Sequence, residues 1–145
     1  MTHRRLRFVT FWSLVVVTIF NALSAIGGGV AMLITDGLGM PSSLLTRGPF
    51  DSFTVPAIIL ILVVGGTQAL AAGMLLARRD SALLWTSVAG FGMLIWIFAE
   101  TALINGISWL QVLYFATGML QLVLVLALLG VVGLLPRGAL GGGRR

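Results

Sequence analysis

The sequence predicts an all-α integral membrane protein: an antiparallel four-helix bundle with both termini on the cytoplasmic side and an interfacial outer loop between helices 1 and 2. Three observations predict it. Of the 145 residues, 59% are hydrophobic and only 9% charged, and the mean hydropathy is +1.10. A soluble domain carries roughly a quarter charged residues to solvate its surface. Four uncharged runs are each near or above the ~20 helical residues needed to cross hydrocarbon. Finally, the arginines are distributed unevenly. Eight of nine lie in the N-terminal segment, at Arg78-Arg79 or in the C-terminal tail, and only Arg47 lies between the other run ends. The positive-inside rule then puts both termini and the 78–80 turn in the cytoplasm, in a multi-pass protein of the cell inner membrane.

The elements follow in order. Residues 1–7 read as a basic tail, followed by the uncharged run Phe8–Thr35. A signal peptide cleaved near Ala22-Leu23-Ser24 is the competing reading, and the continuation of the apolar run past that point argues against it. Gly27-Gly28-Gly29 costs helix stability, about 1 kcal/mol per residue relative to alanine. It is expected to end helix 1, kink it, or admit a close neighbour. Residues 35–54 mix breakers (Pro41, Gly48-Pro49) with Leu38, Met40, Leu44, Leu45, Phe50 and Phe53, which suits an interfacial loop with one helical turn after Ser42. Helix 2 spans Val55–Ala77, with Pro56 in its first turn, where a missing amide proton costs little. Arg78-Arg79-Asp80 makes a tight turn. Helix 3 spans Ser81 to Glu100 or beyond, Asn105-Gly106 turns the chain, and helix 4 spans Ile107 to the 129–135 region before Pro136. Residues 1–136 form one domain and 137–145 a flexible basic tail.

Composition narrows the chemistry. The net charge of +5 does not point to nucleic acid, because the arginines cap apolar runs instead of lining a folded face. Arginine without any lysine, beside abundant Gly, Ala and Leu, fits the codon usage of a GC-rich genome. Without cysteine there are no disulfides, zinc–thiolate sites or iron–sulfur clusters. The single histidine, His3, lies outside the spans, so no membrane haem is expected. Gly27–Gly29 lacks the Lys-Ser/Thr of a phosphate loop. No base stands near a nucleophile in the spans. No cofactor, no metal and no enzymatic activity are expected.

Packing and polarity are more informative. Membrane helices associate through small residues and hydrogen bonds. Gly65, Ala69, Gly73 and Ala77 on helix 2 and Ala82, Thr86 and Gly90 on helix 3 recur every four residues, so these helices are expected to pack through those stripes, with a homodimer face as the alternative. Polar residues inside spans must find protein partners. They are Asn21, Thr67, Gln68, Glu100, Gln111, Tyr114, Thr117 and Gln121. Gln111, Tyr114, Gly118 and Gln121 are spaced three, four and three apart and share one face. Two readings stay open. The amides bond one another and fix register, or they build a pocket open to the outer leaflet. That pocket would be floored by Gln68 and Gln121 and rimmed by Asn21, Gln111, Tyr114 and Glu100, with Thr117 nearby. Trp85, Trp96 and Trp109 fit interfacial belts. Trp96, four residues before Glu100, also fits a pocket wall. Arg47, the only outer cation, is expected to approach Glu100 or Asp51 and pin the loop over the bundle mouth.

Met40-Pro41-Ser42, Leu44, Gly48-Pro49-Phe50, Phe53, Pro56 and Val63-Val64-Gly65, then Trp96, Trp109-Leu110-Gln111, Tyr114-Phe115 and Gly118, resemble a widespread group of small bacterial four-helix membrane proteins. No activity is established for that group. In outline the chain is also similar to DoxX-like proteins, some of which accompany quinone-linked oxidoreductases. Without cysteines or membrane histidines, that resemblance implies no direct redox role. The expected function is a non-catalytic membrane protein that binds a lipid-like ligand or serves as accessory subunit to another membrane protein. The alternative is a small homo-oligomeric transporter or channel. Membrane lipid, a further membrane subunit or a homodimer partner are the expected partners, and nucleic acid is not.

Overall fold

The structure, a computed structural model, describes residues 3–104 and 108–130, the side chains of His3, Arg47 and Ile104 excepted. The expected 105–106 turn, the Pro136 stop and the 137–145 tail lie outside the described residues. Four long helices carry the fold: α1 His3–Ile34, α2 Thr54–Leu76, α3 Ala82–Ile104 and α4 Trp109–Leu128. All four are long and apolar enough to cross a membrane, which marks a multi-pass membrane protein, and no strand occurs among the described residues.

The segment read as a basic tail is already helical from His3. No breaker separates His3 from Phe8, and arginine is a good helix former, so Arg4, Arg5 and Arg7 ride on the first turns of α1. The helix also runs straight through Gly27–Gly29. A Cβ on Gly29 would stand 2.9 Å from the Ala57 carbonyl oxygen of α2, whereas one on Gly27 would meet nothing within 4 Å. The triplet therefore serves the third of its expected uses, close approach of a neighbouring helix. The opposing stretch of α2, Leu60–Gly65, is π-helical. There the Gly66 N–H reaches back five residues to the Ile61 carbonyl, the wider turn that marks such segments. At Gly65 a Cβ would sit 3.3 Å from the backbone nitrogen of Ile26. Glycine on each helix brings the two backbones together.

α2 and α3 pack on each other as expected, but the small-residue stripes do not both face that seam. Gly65 faces α1, and a Cβ on Gly90 would press on Leu122 of α4. Ala69, Gly73 and Ala77 are exposed. A helix apolar on every side carries no polarity to mark its inner face, so spacing alone did not identify it. The inward face of α2 is Val64, Gln68, Ala71, Ala72 and Leu75.

Three apolar layers succeed one another along the helices. Leu14, Val15, Leu75, Ala82 and Val125 pack from all four helices at the end bearing Arg78 and Arg79. Ala25, Val64 and Met93, with Leu60, Trp96 and Tyr114, form the middle layer. Met32, Phe53 and Ala57, with Met40 and Leu45, close the loop end. Large apolar side chains point outward, among them Leu23, Leu62, Ile95 and Phe98, as expected where hydrocarbon surrounds the protein.

The 35–53 connection is built on four successive left-handed residues, Asp36, Gly37, Leu38 and Gly39. The Thr35 hydroxyl oxygen accepts the Leu38 N–H at 2.9 Å. At Gly37, φ is +98° and the Phe53 ring fills the place a side chain would take. A 3₁₀ turn then spans Ser42–Arg47, as expected after Ser42. At the opposite end the Arg78 guanidinium lies 5.4 Å from the centre of the Phe11 ring.

The two glycines of α1 separate packing from propensity. Gly29→Ala is expected to lower stability by about 1–3 kcal/mol through overpacking, read as thermal unfolding in detergent. Gly27→Ala is expected to be neutral or stabilising by up to about 1 kcal/mol. Equal effects at the two positions would contradict the backbone contact.

Candidate functional site

Between the first and middle apolar layers, Thr18, Asn21, Gln68, Thr86 and Gln121 are all fully buried. Gln68 of α2 and Gln121 of α4 form a reciprocal amide pair, each Nε2 donating to the other's Oε1 at 3.1 Å. The second proton of each amide goes to α3: Gln68 to the Ala89 carbonyl at 3.2 Å and Gln121 to the Thr86 carbonyl at 3.1 Å. Asn21 Nδ2 of α1 donates to Gln121 Oε1 at 3.0 Å. One connected cluster thus ties all four helices, and only Asn21 Oδ1 is left without a partner. The Thr18 and Thr86 hydroxyls turn back to the carbonyls of Leu14 and Ala82. For these amides the mutual-bonding reading is the one the geometry supports.

Above this layer, towards the 35–53 loop, a cavity of about 370 Å³ opens. Ser24, Ala25, Gly28 and Met32 of α1, Leu60 of α2, Met93, Trp96, Ile97 and Glu100 of α3, and Ser108, Leu110, Gln111 and Tyr114 of α4 line it. Leu38 and Met40 of the loop complete the wall. Such a volume lies in the range of small-molecule sites. The wall is chiefly apolar and rich in methionine, a side chain that reshapes around varied ligands. A smaller void of about 40 Å³ adjoins it under the loop, where Met32, Met40, Trp96 and Glu100 line both spaces.

The eight predicted pocket residues are split between two levels. Trp96, Glu100, Gln111 and Tyr114 line the cavity. Asn21, Gln68 and Gln121 do not. They lie deeper, Gln121 about 10 Å along α4 from Tyr114 at 1.5 Å per residue, and their polar atoms bond one another. The expected amide floor is replaced by the middle apolar layer with Ala25 and Met93. Thr117 also stands off the cavity, its hydroxyl donating to the Tyr114 carbonyl at 3.1 Å. Gln111 has a structural task as well: its Oε1 accepts the Ser108 N–H at 2.7 Å and caps α4. The Ser108-x-x-Gln111 spacing carries that signature and was the available sequence signal for it. Tyr114 is stacked on Phe20 of α1 with ring centres 6.4 Å apart.

The Arg47 side chain is outside the described set, so the expected Arg47–Asp51 or Arg47–Glu100 pairing falls outside the described residues. Asp51 is exposed. Sequence reasoning missed Ser24, Ala25 and Gly28, one and two turns beyond Asn21 on the same helix, and the three methionines. Apolar and small residues in an apolar helix give no signal of a cavity. Among the described residues no group of three His, Cys, Asp or Glu gathers as metal ligands would.

Four span-length helices tied through buried amides, with an apolar pocket at the loop end, define a small multi-pass membrane protein with a lined cavity above a layer of buried amides. Comparisons with protein-family models, curated proteins and solved structures returned no match.

Removing one amide leaves its partners unpaired in an apolar interior. Gln121→Leu is expected to cost about 1–3 kcal/mol. The Gln68→Leu/Gln121→Leu double variant is expected to cost less than the sum of the singles by at least about 0.5 kcal/mol. Unfolding in mixed micelles measures the cycle, and strict additivity would contradict the pairing.

Proposed function

We propose that this protein is a non-catalytic binding protein of the cell inner membrane that holds a lipid-like or other hydrophobic molecule in the loop-end cavity. Its four helices run as an antiparallel bundle with both termini in the cytoplasm, which places the cavity at the outer leaflet. The observation that carries the reading is an apolar cavity of about 370 Å³ that ends on the middle apolar layer, with fully buried Asn21, Gln68 and Gln121 deeper still. Apolar walls with a few polar groups at one end suit an amphiphile. The layer of buried amides favours holding a ligand over passing it through one copy of the chain. An accessory role within a larger membrane complex would use the same pocket to seat a lipid at the subunit boundary.

Gly28 offers the test of binding. A Cβ there meets only Leu60 Cδ2, at ordinary contact distance of 3.8 Å, and Gly28 lines the cavity, so Gly28→Leu is expected to occupy part of it. Native mass spectrometry of protein gently extracted in nonionic detergent is expected to show about one retained lipid-sized adduct on the wild type and its loss in Gly28→Leu. Adducts unchanged by the substitution would defeat the proposal. The same spectra report copy number and partner subunits, which addresses the transporter alternative.

Topology is tested independently, because the chain has no native cysteine. A membrane-impermeant thiol reagent is expected to label Ser42→Cys in intact spheroplasts and Asp80→Cys only after permeabilisation. The reverse pattern would invert the orientation.

A further inference from the structure

Resting on the cavity reading above, we propose that the polar end of the bound molecule is a cation, an alkylammonium group seated against Glu100, Trp96 and Tyr114, with its hydrocarbon chain among Met32, Leu60 and Met93. Glu100 is the only acidic residue within the four long helices, and it lines the cavity instead of facing away from it. Trp96 stands one helical turn before it and lines the same space. Tyr114, held by its stack on Phe20, lines the cavity from α4.

These groups bring a carboxylate and two aromatic side chains to one cavity wall. Gln111 has its oxygen committed to the Ser108 N–H, so its Nε2 donor suits an acceptor atom of the headgroup and not the ammonium itself. No basic side chain lines the cavity among the described residues. Among the described residues, an anionic headgroup would meet the Glu100 carboxylate with no cationic side chain beside it. A neutral one would add no charge to offset the desolvation of the carboxylate beyond the hydrogen bond it receives from Trp96. An ammonium group converts that same carboxylate into an ion-pair partner, and aromatic faces, tryptophan above all, attract such cations. Two sources share this chemistry: the ethanolamine headgroup of a membrane phospholipid and a free amphiphilic amine.

The test measures equilibrium binding of radiolabelled dodecylamine, dodecanol and dodecanoate to the full chain in nonionic detergent by scintillation proximity. Wild type is expected to bind the amine at least tenfold more tightly than the alcohol, and the carboxylate most weakly. Glu100→Gln is expected to lose at least tenfold for the amine and nothing for the alcohol, whose binding also reports that the variant is folded. An amine no tighter than the alcohol on wild type overturns the cation assignment without recourse to any variant. So does a Glu100→Gln protein that keeps the preference, or one that loses both ligands equally. If none of the three binds saturably, the cavity reading itself fails, an outcome separate from the loss of charge preference. Native mass spectrometry separates the sources. Phosphatidylethanolamine retained by wild type and lost in Glu100→Gln assigns the lipid headgroup, and amine binding without that retention assigns a free amine. Either supports the cation.

Discussion

Hydrocarbon offers an amide nothing to bond to, and this constraint organises the molecule. Three carboxamide side chains sit at full burial in the middle of the four helices, where each unsatisfied group would be costly. Their partners are one another and two carbonyls of α3. Because the participants come from every helix, satisfying them fixes the axial register of all four together. In water, burial of apolar area would do much of this work. Between helices in lipid it does little, since lipid tails are as apolar as leucine.

Close approach of backbones supplies the remaining adhesion, and it is uneven. Gly29 and Gly65 bring α1 and α2 together at the π-helical stretch, while Gly90 and Gly118 receive Leu122 and Leu94 between α3 and α4. Each pair of helices is thus drawn together within itself. Towards the loop end, Trp96 of α3 and Tyr114 of α4 share the cavity wall with Ser24, Ala25 and Gly28 of α1. These small residues leave the space that larger ones would fill. The cavity and the tight α1–α2 contact draw on the same glycine-rich stretch of α1, Gly28 serving the first and Gly29 the second.

Much of the fold was legible in the sequence, and the reasons for the rest are specific. Four helices and the start of α2 at its proline-bearing turn followed from uncharged length and breakers. The shared face of Gln111, Tyr114, Gly118 and Gln121 followed from spacing, but spacing does not give depth. Whether an amide meets another amide or a void depends on the register of the opposing helices, and this placed Gln121 in the lock and Tyr114 at the cavity. The exposed Ala69, Gly73 and Ala77 were assigned inward because a uniformly apolar helix does not label its faces. The π-helical stretch left no mark on the side-chain pattern. The Ser108-x-x-Gln111 cap was written in the chain and was overshadowed by reading Gln111 as a rim residue.

The arrangement of the central amides has a consequence for degeneracy. A carboxamide can be turned end for end, and three of them offer eight combinations of orientation. The Thr86 and Ala89 carbonyls accept only from nitrogen, so they dictate which way Gln121 and Gln68 point, and Gln121 Oε1 then dictates the facing end of Asn21. One combination survives. In surroundings where many apolar packings lie close in energy, this gives the helices a single ground state separated by a gap from its rivals.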